Sequence, residues 1–384
     1  MKIPLSFLQL THEKIRLLVA LAGITFADIL MFTQLGFSNA LYSSAARLHQ
    51  NLQGDIVLIH PKSDTLVFMR SFSRRRLYEI SGIEGIKTVT PIYLDFGIWK
   101  NPIKLNTRNI LVIAFNPSNK IMNLPGLNKQ NLDKLKLEDV ILFDQLSRKE
   151  FGDIGLNFNY QKTIFTEISH HTVKVGGLFA LGTSFGADGN IVTSDTNFFR
   201  IFPQRNIELI DIGLIQLTPQ ADRAIILKQI KSQLSMGDVK VLTKEEFINH
   251  EKYYWQNRTA IGFIFTLGTA MGFIVGTIIV YQILYTGIVD HLSEYATLTA
   301  IGYTHYYLLV VVFQQAIILA CIGFIPGLGI SSFIYYYASM ATRLPLIMTI
   351  DKAMIILFLT IVMCSLSGAI AVNKLRTLDP ADIF

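Results

Sequence analysis

Few residues of this chain are placed where they could do chemistry, and the most telling is a carboxylate. Asp28 lies near the middle of the apolar run Leu17–Phe37, where an ionised side chain costs several kcal/mol unless it is paired or wetted. Such a group acts as a proton or ion site, or as a hydrogen-bonding anchor for a partner helix. Alternatively it is a protonated acid bonded to neighbouring backbone or to Gln34. The apolar runs hold no Lys, Arg or second carboxylate that would extend a relay, so a structural role is favoured. His170 and His171 invite a metal, but adjacent residues on a strand point to opposite faces and one ion could not take both. Arg74, Arg75 and Arg76, with Arg70, form the densest basic run. The ordinary reading is a solvated helix face, and the sharper one is a contact to an adaptor protein or to lipid. The sequence holds no G-x-x-x-x-G-K-[ST] phosphate loop, G-x-S-x-G, H-E-x-x-H or dinucleotide fingerprint. No nucleophile–base pair stands out. We therefore expect a non-catalytic chain with no catalytic, cofactor-binding or metal-binding residues, one that draws any ATP chemistry from another polypeptide.

The elements that hold these residues are dominated by four apolar runs: Leu17–Phe37, Ile261–Ile288, Leu308–Ile330 and Ala353–Val372. Each reaches the roughly 20 residues that a helix needs to cross a bilayer, and only helices or closed barrels satisfy their backbone in lipid. The fold expected is an α-helical membrane protein with four transmembrane helices in a 1+3 layout, and a large α/β extracytoplasmic domain between the first and second. The boundaries expected are a cytoplasmic amphipathic N-terminus over 1–16, a first span over 17–42 and a periplasmic domain over 43–260. A C-terminal domain over 261–384 follows, with spans 261–288, 308–336 and 353–372. The first run is too long for a signal h-region and reads as a retained anchor. Lys2, Lys14 and Arg16 before it, against Arg47 after it, place the N-terminal side inside; Arg343 and Lys352 in the short outer loop pull the other way. Residues 39–260 hold 27 Lys and Arg against 21 Asp and Glu, so the whole net charge of +6 belongs to the large domain. No nucleic-acid motif accompanies that excess, and nucleic acid is not expected as a partner. Both cysteines, Cys321 and Cys364, fall within apolar runs.

Inside the large domain, strand signals at Asp55–His60, Ile86–Tyr93, Asn109–Ala114, Thr163–Glu167, Thr172–Gly177, Asn190–Thr193, Ile207–Leu217 and Val239–Leu242 alternate with helix signals. The helices are Ser73–Ser81 and one from Thr218-Pro219 to about Leu234. This pattern suggests a split βαβ, porter-like part over 54–116 and 204–243 with a β-rich subdomain inserted over 117–203, and an irregular stretch over Asn116–Leu135. Asn39–Gln53 continues the first span as a helical stalk. Thr243 and Glu246 form a capping box, and no Gly or Pro interrupts Lys244–Ile261, so a second stalk is expected to run unbroken from Lys244 to about Ile288. On that second span Gly268, Gly272 and Gly276 form a flat stripe where another backbone can approach closely. The spacing fits packing within the chain and a homodimer seam equally well. Pro326, with Gly323, Gly327 and Gly329, suggests a kink in the third span.

Ser293-Glu-Tyr-Ala-Thr-Leu-Thr-Ala-Ile-Gly302 resembles the signature that follows the second span in the FtsX/MacB superfamily of ABC-type permeases. Leu378-Asp-Pro-Ala-Asp-Ile-Phe384 is similar to that superfamily's closing motif. Gly23–Phe37, Gly182–Asn190 and Thr193–Phe198 look like the cyanobacterial DevC branch. The resemblance implies the permease subunit of a tripartite exporter in the bacterial inner membrane, multi-pass, with both termini cytoplasmic. It implies a homodimer working with a dimeric ABC ATPase that binds ATP and Mg, and with a membrane-fusion adaptor and an outer-membrane duct. The cargo of that branch is glycolipid. On this reading Glu294, Thr297, Leu298, Ile301 and Gly302 couple to the ATPase, and Gly268, Gly272 and Gly276 serve the dimer. The alternative is an FtsX-like regulator of a cell-wall hydrolase, whose outer domain is much smaller.

Overall fold

The computed structural model describes residues 14–160, 163–234, 237–290 and 305–375. They divide into two compact units, Leu41–Thr259 on one hand and Met1–Ala40 with Ala260–Phe384 on the other. Among the described residues, four helices are long and apolar enough to cross a membrane: α1 (Lys14–Ala45), α9 (Ala260–Asp290), α10 (His305–Thr342) and α11 (Ile350–Leu375). The chain is thus a membrane protein with the 1+3 layout and a large mixed α/β domain.

In the large domain, β1 (Ile56–Ile59) is followed by α3 (Arg75–Ile80) and β3 (Ile86–Lys100). Later β10 (Ile212–Leu217) is followed by α7 (Arg223–Gln233) and β11 (Lys240–Thr243). The strands lie in the order β11-β1-β10-β3, every pair antiparallel, which is the split βαβ arrangement. Leu77, Ile80, Ile226 and Ile230 cover one face of this sheet. The other face is covered by Leu48 and Leu52 at and just beyond α2 (Arg47–Asn51) and by Phe247 of α8 (Lys244–Asn257). The stalk ends are therefore part of the domain's core.

The strands of the inserted β-rich part are hydrogen-bonded into the same sheet. The strand expected to stop at Tyr93 continues to Lys100, and its far half pairs with β4 (Thr107–Phe115) and β6 (Phe165–Ile168). Through β8 (Asn190–Ser194), β5 (Val140–Asp144) and β7 (His171–Phe179) the sheet returns to β6, closing a ring of six strands on β3. One long strand thus belongs to both halves. β4 alternates between two buried faces, Ile110, Val112 and Ala114 on one and Leu111, Ile113 and Phe115 on the other. An all-apolar strand is what burial on both sides selects.

Several expectations need correction. β5 went unread because a run of only four apolar residues, Val140–Phe143, carries no periodicity of its own. The helix expected from Pro219 begins at Arg223, because the Asp222 carboxylate accepts the amides of Ala224 and Ile225 and so caps it there. The stretch read as irregular holds the short helix α4 (Lys129–Lys134), capped by Asn128. The first stalk stops at Ala45 and resumes as α2. The capping box is present, with the Thr243 hydroxyl accepting the Glu246 amide at 3.1 Å and the Glu246 carboxylate accepting the Thr243 amide at 2.8 Å. The second stalk, however, is not one rod. It ends at Asn257, where the Arg258 amide closes on the Tyr254 carbonyl and the Thr259 hydroxyl donates to the Trp255 carbonyl. A new helix starts at Ala260. The helix thus stops without Gly or Pro.

Candidate functional site

The membrane helices meet along a seam built on small residues. A Cβ added at Gly268 would lie 2.5 Å from Gln34 Cδ, and one at Gly272 would lie 3.3 Å from Leu30 Cβ. At Gly276 it would lie 2.7 Å from Ala27 Cβ and against the Met363 sulfur. The stripe on the second span is therefore filled by the first and fourth spans of the same chain. Gly323 and Gly327 repeat the device on the third span, opposite Ile24 and Asp28, whereas Gly329 faces open space. The third helix runs on through Pro326.

Asp28 is fully buried in this seam. Its Oδ1 accepts the Thr360 hydroxyl of the fourth span at 2.5 Å, not Gln34, which lies against Gly268 instead. Its Oδ2 has no hydrogen-bond partner among the described residues. Further polar ties bind the spans: Thr25 Oγ1 donates to the Gly323 carbonyl at 3.1 Å, the Tyr335 hydroxyl donates to the Phe32 carbonyl, and Ser367 Oγ donates to the Thr277 carbonyl at 2.8 Å. The arrangement holds helices together. Among the described residues it offers no chain of titratable groups across the bilayer.

A second cluster joins the two stalk ends inside the large domain. Glu251 of α8 accepts the Leu66 amide at 2.9 Å and the Trp255 indole N–H at 2.8 Å. It lies 3.5 Å from Nε2 of His49 on α2. Burial pushes the Glu251 carboxyl up to about 7. Burial, with a smaller contribution from His250, pushes His49 down to about 3. His49 also packs its ring 4.2 Å from that of Phe247. No sequence signal marks this pair, because its members lie at opposite ends of the domain and neither sits in a motif.

The arginine run is largely engaged. Arg76 pairs with Glu79 and Asp238, Arg75 with Glu79, and Arg74 lies over the Tyr78 ring. His170 occupies a turn with φ of 69°, and His171 meets Asp139 at 2.7 Å. No group of three or more metal-ligating side chains occurs among the described residues. Glu294, Thr297, Leu298, Ile301 and Gly302 lie outside the described residues, as does the C-terminal Leu378–Phe384.

Residues 261–380, which contain the glycine seam, match the model of the FtsX-like permease C-terminal family. Over these residues the chain is similar to FtsX-like permeases. The chain is also similar to the crystal structure of the periplasmic region of MacB from Actinobacillus actinomycetemcomitans, at 12% identity over 51% of this chain and 91% of that one, TM-score 0.36. It is similar to the extracellular domain of the noncanonic ABC-type transporter YknZ from Gram-positive bacteria, at 12% identity over 49% and 98%, TM-score 0.34. Comparison with curated proteins found no match.

Two outcomes follow from the seam of the membrane helices and from the stalk cluster. Gly276→Leu forces a side chain into Ala27 and Met363 and is expected to cost at least about 1–3 kcal/mol. Gly329→Leu is expected to stay within about 0.5 kcal/mol. Thermal unfolding of both variants in detergent checks the difference. For Glu251, a folded-state value above the ordinary one means stability that is full below about 4.5 and is lost as pH rises through about 7. His49 works in the opposite sense, contributing above 6.5 and losing its share as pH falls towards 3. Glu251→Gln should therefore remove a destabilisation on the order of 3 kcal/mol between acid and mildly alkaline pH. Denaturant midpoints of the variant and the parent across that range provide the measurement, and parallel curves would refute it.

Proposed function

We propose that this chain is the permease subunit of an ABC-type exporter whose ATPase is a separate polypeptide. The match of residues 261–380 to the FtsX-like permease model carries the reading. The layout supports it, with one span, a large domain and three spans, and with stalk ends built into the domain core. In this account the chain is non-catalytic and sits in the inner membrane with the large domain periplasmic. ATP and Mg are bound by the partner ATPase, which docks against Glu294, Thr297, Leu298, Ile301 and Gly302. Movement of the stalks works the large domain, which passes cargo, glycolipid in the branch resembled, to a membrane-fusion adaptor and an outer-membrane duct. Arg75, with most of its side chain exposed, is the member of the arginine run best placed for an adaptor or lipid.

The subunit acts as a homodimer in this reading, but its seam is not the glycine stripe, since that surface is occupied within the chain. The other side of the second span presents Ile264, Leu267, Met271, Ile274 and Ile278, all exposed. Their alternating steps of three and four residues are those of a helix–helix seam.

Purification in mild detergent should recover an ABC ATPase with the chain. Gly302→Leu and Leu298→Asp should abolish ATP-dependent export while the protein still inserts. Undiminished export in both variants would contradict the assignment. Recovery of a cell-wall hydrolase on the large domain, in place of an adaptor, would indicate a regulator instead.

A further inference from the structure

The segment Gly182–Asn190 drew attention in the sequence, and the spans and arginines leave it without a task. In the structure it is a tightly held loop between β7 and β8. Asp144, at the end of β5, is buried, and its carboxylate accepts the amides of Leu181 at 3.1 Å and Gly182 at 2.8 Å together with the Asn190 side-chain amide at 2.8 Å. Asn190 Nδ2 also donates to the Gly182 carbonyl at 3.0 Å. Gly182 has φ of +93°, and a Cβ there would strike the Arg47 guanidinium, so only glycine suits both the backbone and the neighbour.

Three contacts connect this loop and the two stalk ends in pairs. Arg47, the first residue of α2, donates from Nη1 to the carbonyls of Leu181 at 3.3 Å and Thr183 at 3.1 Å, tying the first stalk to the loop. His49 of α2 packs its ring 4.2 Å from that of Phe247, tying α2 to α8. Phe185, at the tip of the loop, sets its ring edge-on to Trp255 of α8, centroids 4.6 Å apart, which ties the loop to the second stalk. The turn 65–68 is clamped in the same place: its Leu66 amide is held by Glu251, and Gly186 packs on Val67. Three bodies joined in pairs have no free hinge between any two of them. Through Asp144 the loop is anchored in the six-stranded ring, so the ring is fixed to both stalks at once.

We infer that the loop Leu181–Asn190 is the joint that fixes the six-stranded ring to both stalk helices, with Arg47 and Phe185 as its positioning residues. The functional part of this inference rests on the proposed exporter role, and its structural part does not. Movement of the joined stalk ends would then be delivered to the ring rather than absorbed below it.

The test uses the full chain in lipid nanodiscs, with Cys321 and Cys364 replaced by Ala and spin labels at Tyr253→Cys on α8 and at Leu156→Cys on the short helix Ile154–Asn159 that packs on β7 of the ring. Both positions are exposed. The distance distribution should be narrow in the parent and clearly broader in Arg47→Met and in Phe185→Ala, with Arg47→Lys intermediate. Far-ultraviolet circular dichroism keeps unfolding apart from loosening: a variant with lost secondary structure is set aside and the other one decides. In the assembled complex the same variants should keep ATP hydrolysis and lose export several-fold. Unchanged widths and unchanged export in Arg47→Met and Phe185→Ala would overturn the joint. Absence of ATP-dependent export in the parent would instead overturn the exporter reading, leaving the distance result to stand by itself.

Discussion

Close approach between helices is the constraint on which the membrane part depends. Lipid supplies no hydrophobic force that distinguishes a neighbouring helix from an acyl chain, so packing and hydrogen bonds must do it. The first span brings Ile24, Ala27, Asp28, Leu30, Met31 and Gln34 against glycines on the second and third spans. Its one carboxyl group is met by Thr360 of the fourth. A helix separated from its partners by more than two hundred residues is thereby held by every one of them. Glycine makes the surfaces flat, and Asp28 sets the depth at which they lock.

The large domain solves a related problem by different means. Its stalk ends bury Leu48, Leu52 and Phe247 under the split βαβ sheet, and the long β3 strand carries that sheet into the closed ring. The six-stranded ring leaves no open edge among its members, which suits a domain that works outside the membrane. Rigidity within the domain therefore comes from strand continuity and from buried polar ties. The interruption at Arg258–Thr259 shows that it does not come from a single unbroken rod.

Much of this architecture was legible in the sequence. Span number and layout followed from run length, and the capping box at Thr243 and Glu246 followed from residue type and spacing. What escaped had identifiable causes. β5 is a short apolar run without periodicity. The stop at Arg258–Thr259 carries no Gly or Pro that would mark it in the sequence. Spacing could show that Gly268, Gly272 and Gly276 form a stripe, but not whose side chains fill it. The partners of Asp28, Arg47 and Glu251 are distant in sequence and lie in no motif, so only the fold could join them. The family signature around Glu294–Gly302 was read from the sequence and lies outside the described residues.

The ownership of the glycine stripe is the point most open to direct measurement. A Cβ at Gly272 would lie 3.3 Å from Leu30 Cβ, close to the roughly 3.5–4.5 Å that a disulfide requires. Leu30→Cys with Gly272→Cys, in a chain lacking Cys321 and Cys364 and oxidised in native membranes, should form a bond within one polypeptide. The product should migrate as a monomer and yield joined peptides of a single chain on digestion. A covalent dimer formed in high yield by this pair, with no intrachain product, would contradict the account.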